Sequence, residues 1–131
     1  MPSIFSKIIS REIPAHIVAE DDNYLAFLDI NPLMEGHCLA IPKVDVDYIF
    51  DLEDETLAGL HLFAKKVALG IKIAIPCERI AVTVLGLEVP HAHVHLIPMN
   101  TMDDANFARP KLKPSQDELA ATAAKIKSAI V

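Results

Sequence analysis

The stretch Pro90-His91-Ala92-His93-Val94-His95-Leu96-Ile97-Pro98 carries three of the chain's six histidines at alternate positions between two prolines. In an extended strand successive side chains point to opposite faces. His91, His93 and His95 are therefore expected on one face, with neighbouring Cα atoms roughly 6.5–7 Å apart. Ala92, Val94 and Leu96 are expected on the other face, buried in a core. A period of two marks a strand and not a helix. The chain gives one face of a strand to imidazole, which a hydrophobic core has no reason to contain.

Imidazole has an unperturbed pKa of about 6.5, so near neutral pH it serves as nucleophile, proton donor, proton acceptor or metal ligand. Three readings follow. The histidines are separately hydrogen-bonded without a shared task, or they bind zinc or a similar ion as neutral ligands. In the third, one attacks a phosphorus while its neighbours supply protons and positive charge. Spacing alone does not separate the last two.

A second block bears on the choice. Residues 4–43 run through Ile4-Phe5, Leu28-Asp29-Ile30-Asn31-Pro32 and Gly36-His37-Cys38-Leu39. This block and the triad, taken in this order, resemble the histidine triad (HIT) family over about residues 4–99. The resemblance implies an α+β fold of the HIT type, with an antiparallel sheet of about five strands, a long central helix and a C-terminal helix. It implies a nucleotidyl hydrolase or transferase acting at the α-phosphate of a nucleoside phosphoramidate, dinucleotide or nucleotidyl conjugate. His93 matches the family's nucleophile, which forms a transient nucleotidyl-histidine. His95 matches the residue that contacts the phosphate and assists the leaving group. His91 matches the first triad member, and His37 the fourth histidine that supports the site. Asp29 matches the acid that holds the ribose hydroxyls. Ile4, Phe5, Ile8, Phe27, Ile30 and Leu39 fall where the family builds its apolar base pocket, and Thr83 and Gly86 where it approaches the phosphate. A purine mononucleotide or nucleotide conjugate is the implied ligand, and a homodimer the implied assembly. No cofactor or resident metal is implied.

These residues suit that chemistry on their own terms. A nucleophilic imidazole presents one nitrogen as a lone pair, so its other nitrogen should donate a hydrogen bond, typically to a backbone carbonyl. Passing through a nucleotidyl-imidazole splits one hard displacement into two easier ones. The phosphoryl oxygens need donors aimed at developing charge, which flanking histidines supply. A carboxylate accepts from both hydroxyls of a ribose; Asp29 equally suits a strand-end cap on the Asn31-Pro32 turn. The pocket aliphatics also read as ordinary core.

The chain departs from the family pattern before the triad. Ala81-Val82-Thr83-Val84-Leu85-Gly86-Leu87-Glu88-Val89-Pro90 retains one glycine of the usual Gly-rich loop, is about three residues shorter, and has Leu87 where a Gln is common. Losing one donor to a charge costs on the order of 1.5–3 kcal/mol, or roughly ten- to more than a hundredfold in rate. A slower enzyme, another leaving group, or a nucleotide-binding scaffold with little catalysis fits that loss. A His-cluster metal protein is a further alternative. Where some relatives carry a zinc-binding Cys-x-x-Cys, this chain has Ser3 and Ser6, and serine is a poor zinc ligand.

The remaining features describe one domain over residues 1–131, long enough for its own core. The chain is 52% hydrophobic without an apolar run approaching 18 residues, so no membrane span is expected. No signal peptide is apparent at the N-terminus. Two isolated cysteines, Cys38 and Cys77, suit a reducing, cytoplasmic setting. A net charge of −6 disfavours nucleic-acid binding. Ser3 is expected to cap a helix to about Ser10, with strands near 15–20, 23–29, 37–42, 78–85 and 91–97. A helix capped by Asp51 is expected to run to Leu69 and end near Gly70. Leu62, Phe63 and Leu69 fall outside its core stripe, which predicts a dimer face; a deeply buried helix would show the same pattern. His61 on this helix reads as structural. Polar residues 99–114 form a long connection, either lining the leaving-group side or simply crossing the surface. Ser115 and Glu118 form a capping box opening a C-terminal helix to about residue 130.

Overall fold

Residues 25, 27 and 29 and residues 37, 39 and 41 share parity with the triad, and this parity organises the molecule. A computed structural model describes residues 3–130. Helix α1 (Ile4–Ile9) is followed by strands β1 (Ile17–Glu20), β2 (Tyr24–Leu28) and β3 (Cys38–Pro42). Helix α2 (Asp54–Ala74), strands β4 (Arg79–Thr83) and β5 (Val94–Met99) and helix α3 (Gln116–Ala129) complete it, with 3-10 turns at Ile49–Asp51 and Met102–Ala105. The five strands form one antiparallel sheet in the order β1-β2-β3-β5-β4, giving an α+β architecture. Among the described residues, no helix is long and apolar enough to cross a membrane.

Even-numbered strand residues Tyr24, Ala26, Leu28, Cys38, Ala40, Val94 and Leu96 pack against Leu60, Phe63, Ala64, Val67 and Ile71 of α2 and Leu119, Ala123 and Ile126 of α3. Odd-numbered Leu25, Phe27, Leu39 and Ile41 pack against Phe5 and Ile8 of α1. The pairs Phe27 with Leu39 and Leu39 with His95 carry the odd face across the sheet. One layer thus holds two α-helices, and the opposite layer holds α1 and the histidines. A one-residue slip in β3 or β5 would exchange these faces.

Both end helices follow the predicted capping. Ser3 accepts from the Ser6 amide, and Ser115 with Glu118 closes a capping box on α3. Three expectations are corrected. The last strand begins at Val94, not His91, because β3 stops at Pro42, which has no N–H to extend the ladder. The Ala92 amide instead donates to the Val46 carbonyl, and the His91 amide turns back to that of Val89. Helix α2 begins at Asp54, with Asp51 in the preceding 3-10 turn, and it continues through Gly70 to Ala74. Gly70 serves there as a point of close approach: a Cβ on it would lie 2.4 Å from Ile130 Cγ1. Phe63, expected on an outer face, is buried and stacks on Tyr24 at 5.5 Å between ring centres. Leu62 (70% exposed), Leu69 (58%) and Ile73 (70%) remain as the outward apolar stripe of α2.

Candidate active site

Backbone groups hold His37, His91 and His93, and His37 in turn holds His95; these contacts assign the proton on each ring. The Leu33 amide donates to His37 Nδ1 at 3.1 Å. A neutral His37 accepting at Nδ1 must carry its proton on Nε2. That nitrogen lies 3.0 Å from His95 Nδ1 and donates to it. His95 therefore keeps its own proton on Nε2. His93 Nδ1 lies 2.7 Å from the His91 carbonyl and donates to it, leaving Nε2 as a lone pair. His91 donates from Nε2 to the Pro42 carbonyl at 2.9 Å, so its Nδ1 accepts from the Ser3 hydroxyl at 3.0 Å. Two adjacent rings, 5.0 Å apart, thus present a lone pair on His93 and a proton on His95.

Burial disfavours the charged forms of His37, His93 and His95. Desolvation is the main cause pushing His37 down to about 3, with the neighbouring His95 adding to it. Desolvation, then His93, brings His95 to about 4. His93 is also lowered, chiefly by burial, against the opposing effect of its bond to the His91 carbonyl. Free of the fold these groups would titrate near 6.5. Stability is then fully present above pH 6.5 and falls as pH drops toward 4, because the unfolded chain takes up protons that the folded chain refuses. Burial raises Asp29, an opposing effect at the acid end. We expect a net loss on the order of 3 kcal/mol between pH 6.5 and 4, read as a fall in the urea midpoint; an unchanged midpoint would contradict neutral buried rings.

His93 and His95 border a cavity of about 270 Å³, together with Asp29, Ile30, Phe5, Ile8, Phe27 and Leu39. Ile4 and Ile30 stand half-exposed at its rim. Phe5 meets Phe27 and His93 edge to face, at 5.3 and 5.1 Å. The buried pocket residues belong both to the cavity wall and to the core between α1 and the sheet. Asp29 Oδ1 accepts from the Asn31 amide at 2.9 Å, so it caps its turn, while Oδ2 lies 3.7 Å from His37 Nε2 and makes no hydrogen bond. Gly36, at φ +92°, makes the left-handed turn that brings His37 beneath Asp29.

His91, Thr83 and Gly86 do not border this cavity. His91 is fully buried and acts through its carbonyl. Thr83 pairs with His95 at the end of β4. Gly86, at φ +78°, borders a neighbouring cavity with His93, Tyr48 and Phe50. Leu87 is 95% exposed. Leu33 and Phe107 had no part in the sequence expectations. Leu33 acts through a backbone amide, which no side-chain pattern reports. Phe107, the one aromatic in 99–114, packs its ring 4.8 Å from that of His95.

Asp29, His37 and His95 bring three possible metal-ligand atoms within 4.8 Å of one another. The Leu33 amide argues against that use. With Nδ1 of His37 accepting, Nε2 holds a proton and has no lone pair for a metal. The cluster is built to hold a proton at His95.

A HIT domain matches residues 10–102, and the chain belongs to the histidine triad family. The adenosine 5′-monophosphoramidase of Saccharomyces cerevisiae is 40% identical over 96 residues, covering 72% of this chain and 61% of that protein. A HIT-like protein of Bartonella henselae superposes with a TM-score of 0.85 at 32% identity, over 97% of this chain and 95% of that one. A hypothetical histidine triad nucleotide-binding protein of Sulfolobus tokodaii gives 0.83 at 30% identity, over 97% and 91%.

Proposed function

We propose that this chain is a nucleotidyl hydrolase or transferase that cleaves a purine nucleoside phosphoramidate or related conjugate through a nucleotidyl-histidine. The observation that carries this reading is the pairing of a lone pair on His93 with a proton on His95 beside one cavity. The base lies among Phe5, Ile8, Phe27, Ile30 and Leu39, and the ribose hydroxyls donate to Asp29. His93 Nε2 attacks the α-phosphorus as the bond to the leaving nitrogen breaks. His95 Nε2 passes its proton to that nitrogen and takes a replacement from solvent, so the ring ends the step neutral. The Nδ1–H of the nucleotidylated His93 is then part of a cation, and its bond to the His91 carbonyl strengthens. Water attacks phosphorus next, its proton passes through His95 to solvent, and the nucleoside monophosphate leaves as His93 regains its lone pair.

The yeast relative, an adenosine 5′-monophosphoramidase, supports this substrate class. The test is AMP release from adenosine 5′-phosphoramidate in EDTA, with a search by mass spectrometry for an AMP adduct on a His93-containing peptide. Release with the adduct supports the reading. AMP binding without release would favour a nucleotide-binding scaffold, the alternative motivated by the exposed Leu87 at the shortened loop. We further propose a cytoplasmic homodimer that covers Leu62, Leu69 and Ile73, large apolar side chains a lone subunit leaves in water. Leu62→Glu with Leu69→Glu is expected to halve the mass measured by sedimentation equilibrium; an unchanged dimer would put the interface elsewhere.

A further inference from the structure

Phe27, Phe5, His93, His95 and Phe107 stand in succession, with neighbouring ring centres 5.3, 5.1, 5.0 and 4.8 Å apart. The apolar cavity occupies the Phe27 and Phe5 end of this series. Phe107 ends it on the far side of His95 and does not border that cavity. The proton donor therefore stands between the nucleotide cavity and Phe107. Lys111 belongs to the Phe107 end. Its Nζ donates to the Phe107 carbonyl at 2.8 Å and lies 5.7 Å from the centre of the ring.

The backbone that carries this pair is held firmly. Asp104 Oδ2 accepts from the Asn100 and Thr101 amides, and Arg109 bonds Asp104 Oδ1 and the Asp103 carbonyl. Beside Lys111, the Leu112 amide donates to the Pro32 carbonyl at 2.8 Å, tying the segment to the turn that follows Asp29. The ammonium itself is exposed and keeps hydrogens free for a further acceptor. Its charge also disfavours protonation of His37 and His95, in keeping with its nearness to both. On the other approach to His93, the loop offers the aliphatic Leu87 with the carboxylate of Glu88 beside it, and Asp47 lines the neighbouring cavity, so the charge on that side is negative.

We infer that Lys111 is a specificity-determining residue that favours leaving groups bearing a carboxylate or phosphate over neutral ones. This rests on the nucleotidyl-transfer reading above. As the bond between phosphorus and the leaving nitrogen breaks and His95 protonates that nitrogen, the departing group passes Phe107 and its anionic end meets the ammonium. The geometry suits amino acids or phosphorylated amines as leaving groups better than simple alkylamines.

The experiment compares kcat/KM for two adenosine 5′-phosphoramidates, one of β-alanine and one of its methylamide, which differ in charge at the far end. The wild-type protein is expected to favour the acid by about tenfold at low salt, a partly screened charge pair. The preference should shrink toward one in high salt and in Lys111→Met, and reverse in Lys111→Glu for an aminoethyl conjugate over the acid. A preference that survives in Lys111→Met overturns the proposal. So does an equal loss on both conjugates, which would make Lys111 a general contact to the transferred phosphate. If the wild-type protein cleaves neither compound nor unsubstituted phosphoramidate, the reaction itself fails and the inference falls with it.

Discussion

Replacing His93 with alanine is expected to lower AMP release from adenosine 5′-phosphoramidate by at least about 10⁴-fold. The loss is large because no other group can take the nucleophile's place. His95 presents a proton where His93 presents a lone pair, and the Leu33–His37–His95 series of hydrogen bonds keeps it so. His91 is buried with both ring nitrogens engaged. The variant should still unfold cooperatively, with about 1–2 kcal/mol lost from the contact with Phe5. Retention of more than a tenth of the rate in a folded variant would end the covalent mechanism.

The second large effect is expected from His37→Leu, which acts at a distance from the reacting phosphorus. Leucine leaves the Leu33 amide without its acceptor in a buried place, and His95 Nδ1 without its donor. One such orphan costs about 1–3 kcal/mol, so a fall in stability of about 2–4 kcal/mol is expected. His95, freed to protonate either nitrogen, should lose proton delivery worth about 10²-fold in rate. Two further signs separate this from mere loosening. The acid loss of stability should shrink, since one of its two main contributors is gone. His37→Gln, whose amide offers one acceptor and one donor, should recover part of the rate. A His37→Leu enzyme with unchanged rate would remove the proton-fixing role of this residue.

Much of this was legible in the triad and the parity it implies. Alternation in 90–98 and in 37–42 is enough to put Leu39 and His95 on one face and Cys38, Val94 and Leu96 on the other. The capping residues Ser3 and Ser115 announced two helices correctly. The missed features share a cause: they depend on a tertiary partner. Gly70 reads as a helix stop until Ile130 is seen against it, and Phe63 reads as an outer residue until Tyr24 stacks on it. The extended run of histidines was cut short by Pro42 on a neighbouring strand. The proton positions were least visible, since they are set by the amide of Leu33 and the carbonyls of His91 and Pro42.

The segment from Asn100 to Pro114 is braced internally through Asp104 and Arg109, is pinned at its ends by Asn100 to the Glu78 amide and by the Leu112 amide to Pro32, and touches the sheet's histidines through Phe107. Such a segment behaves as a replaceable cassette. Between its anchors its exposed residues lie outside the strand pairings and can change without shifting a register, whereas one residue added within β3 would turn the chemistry into the core. New specificities should therefore arise in this lineage by grafting loops of different charge and length here, with the catalytic rings inherited unchanged.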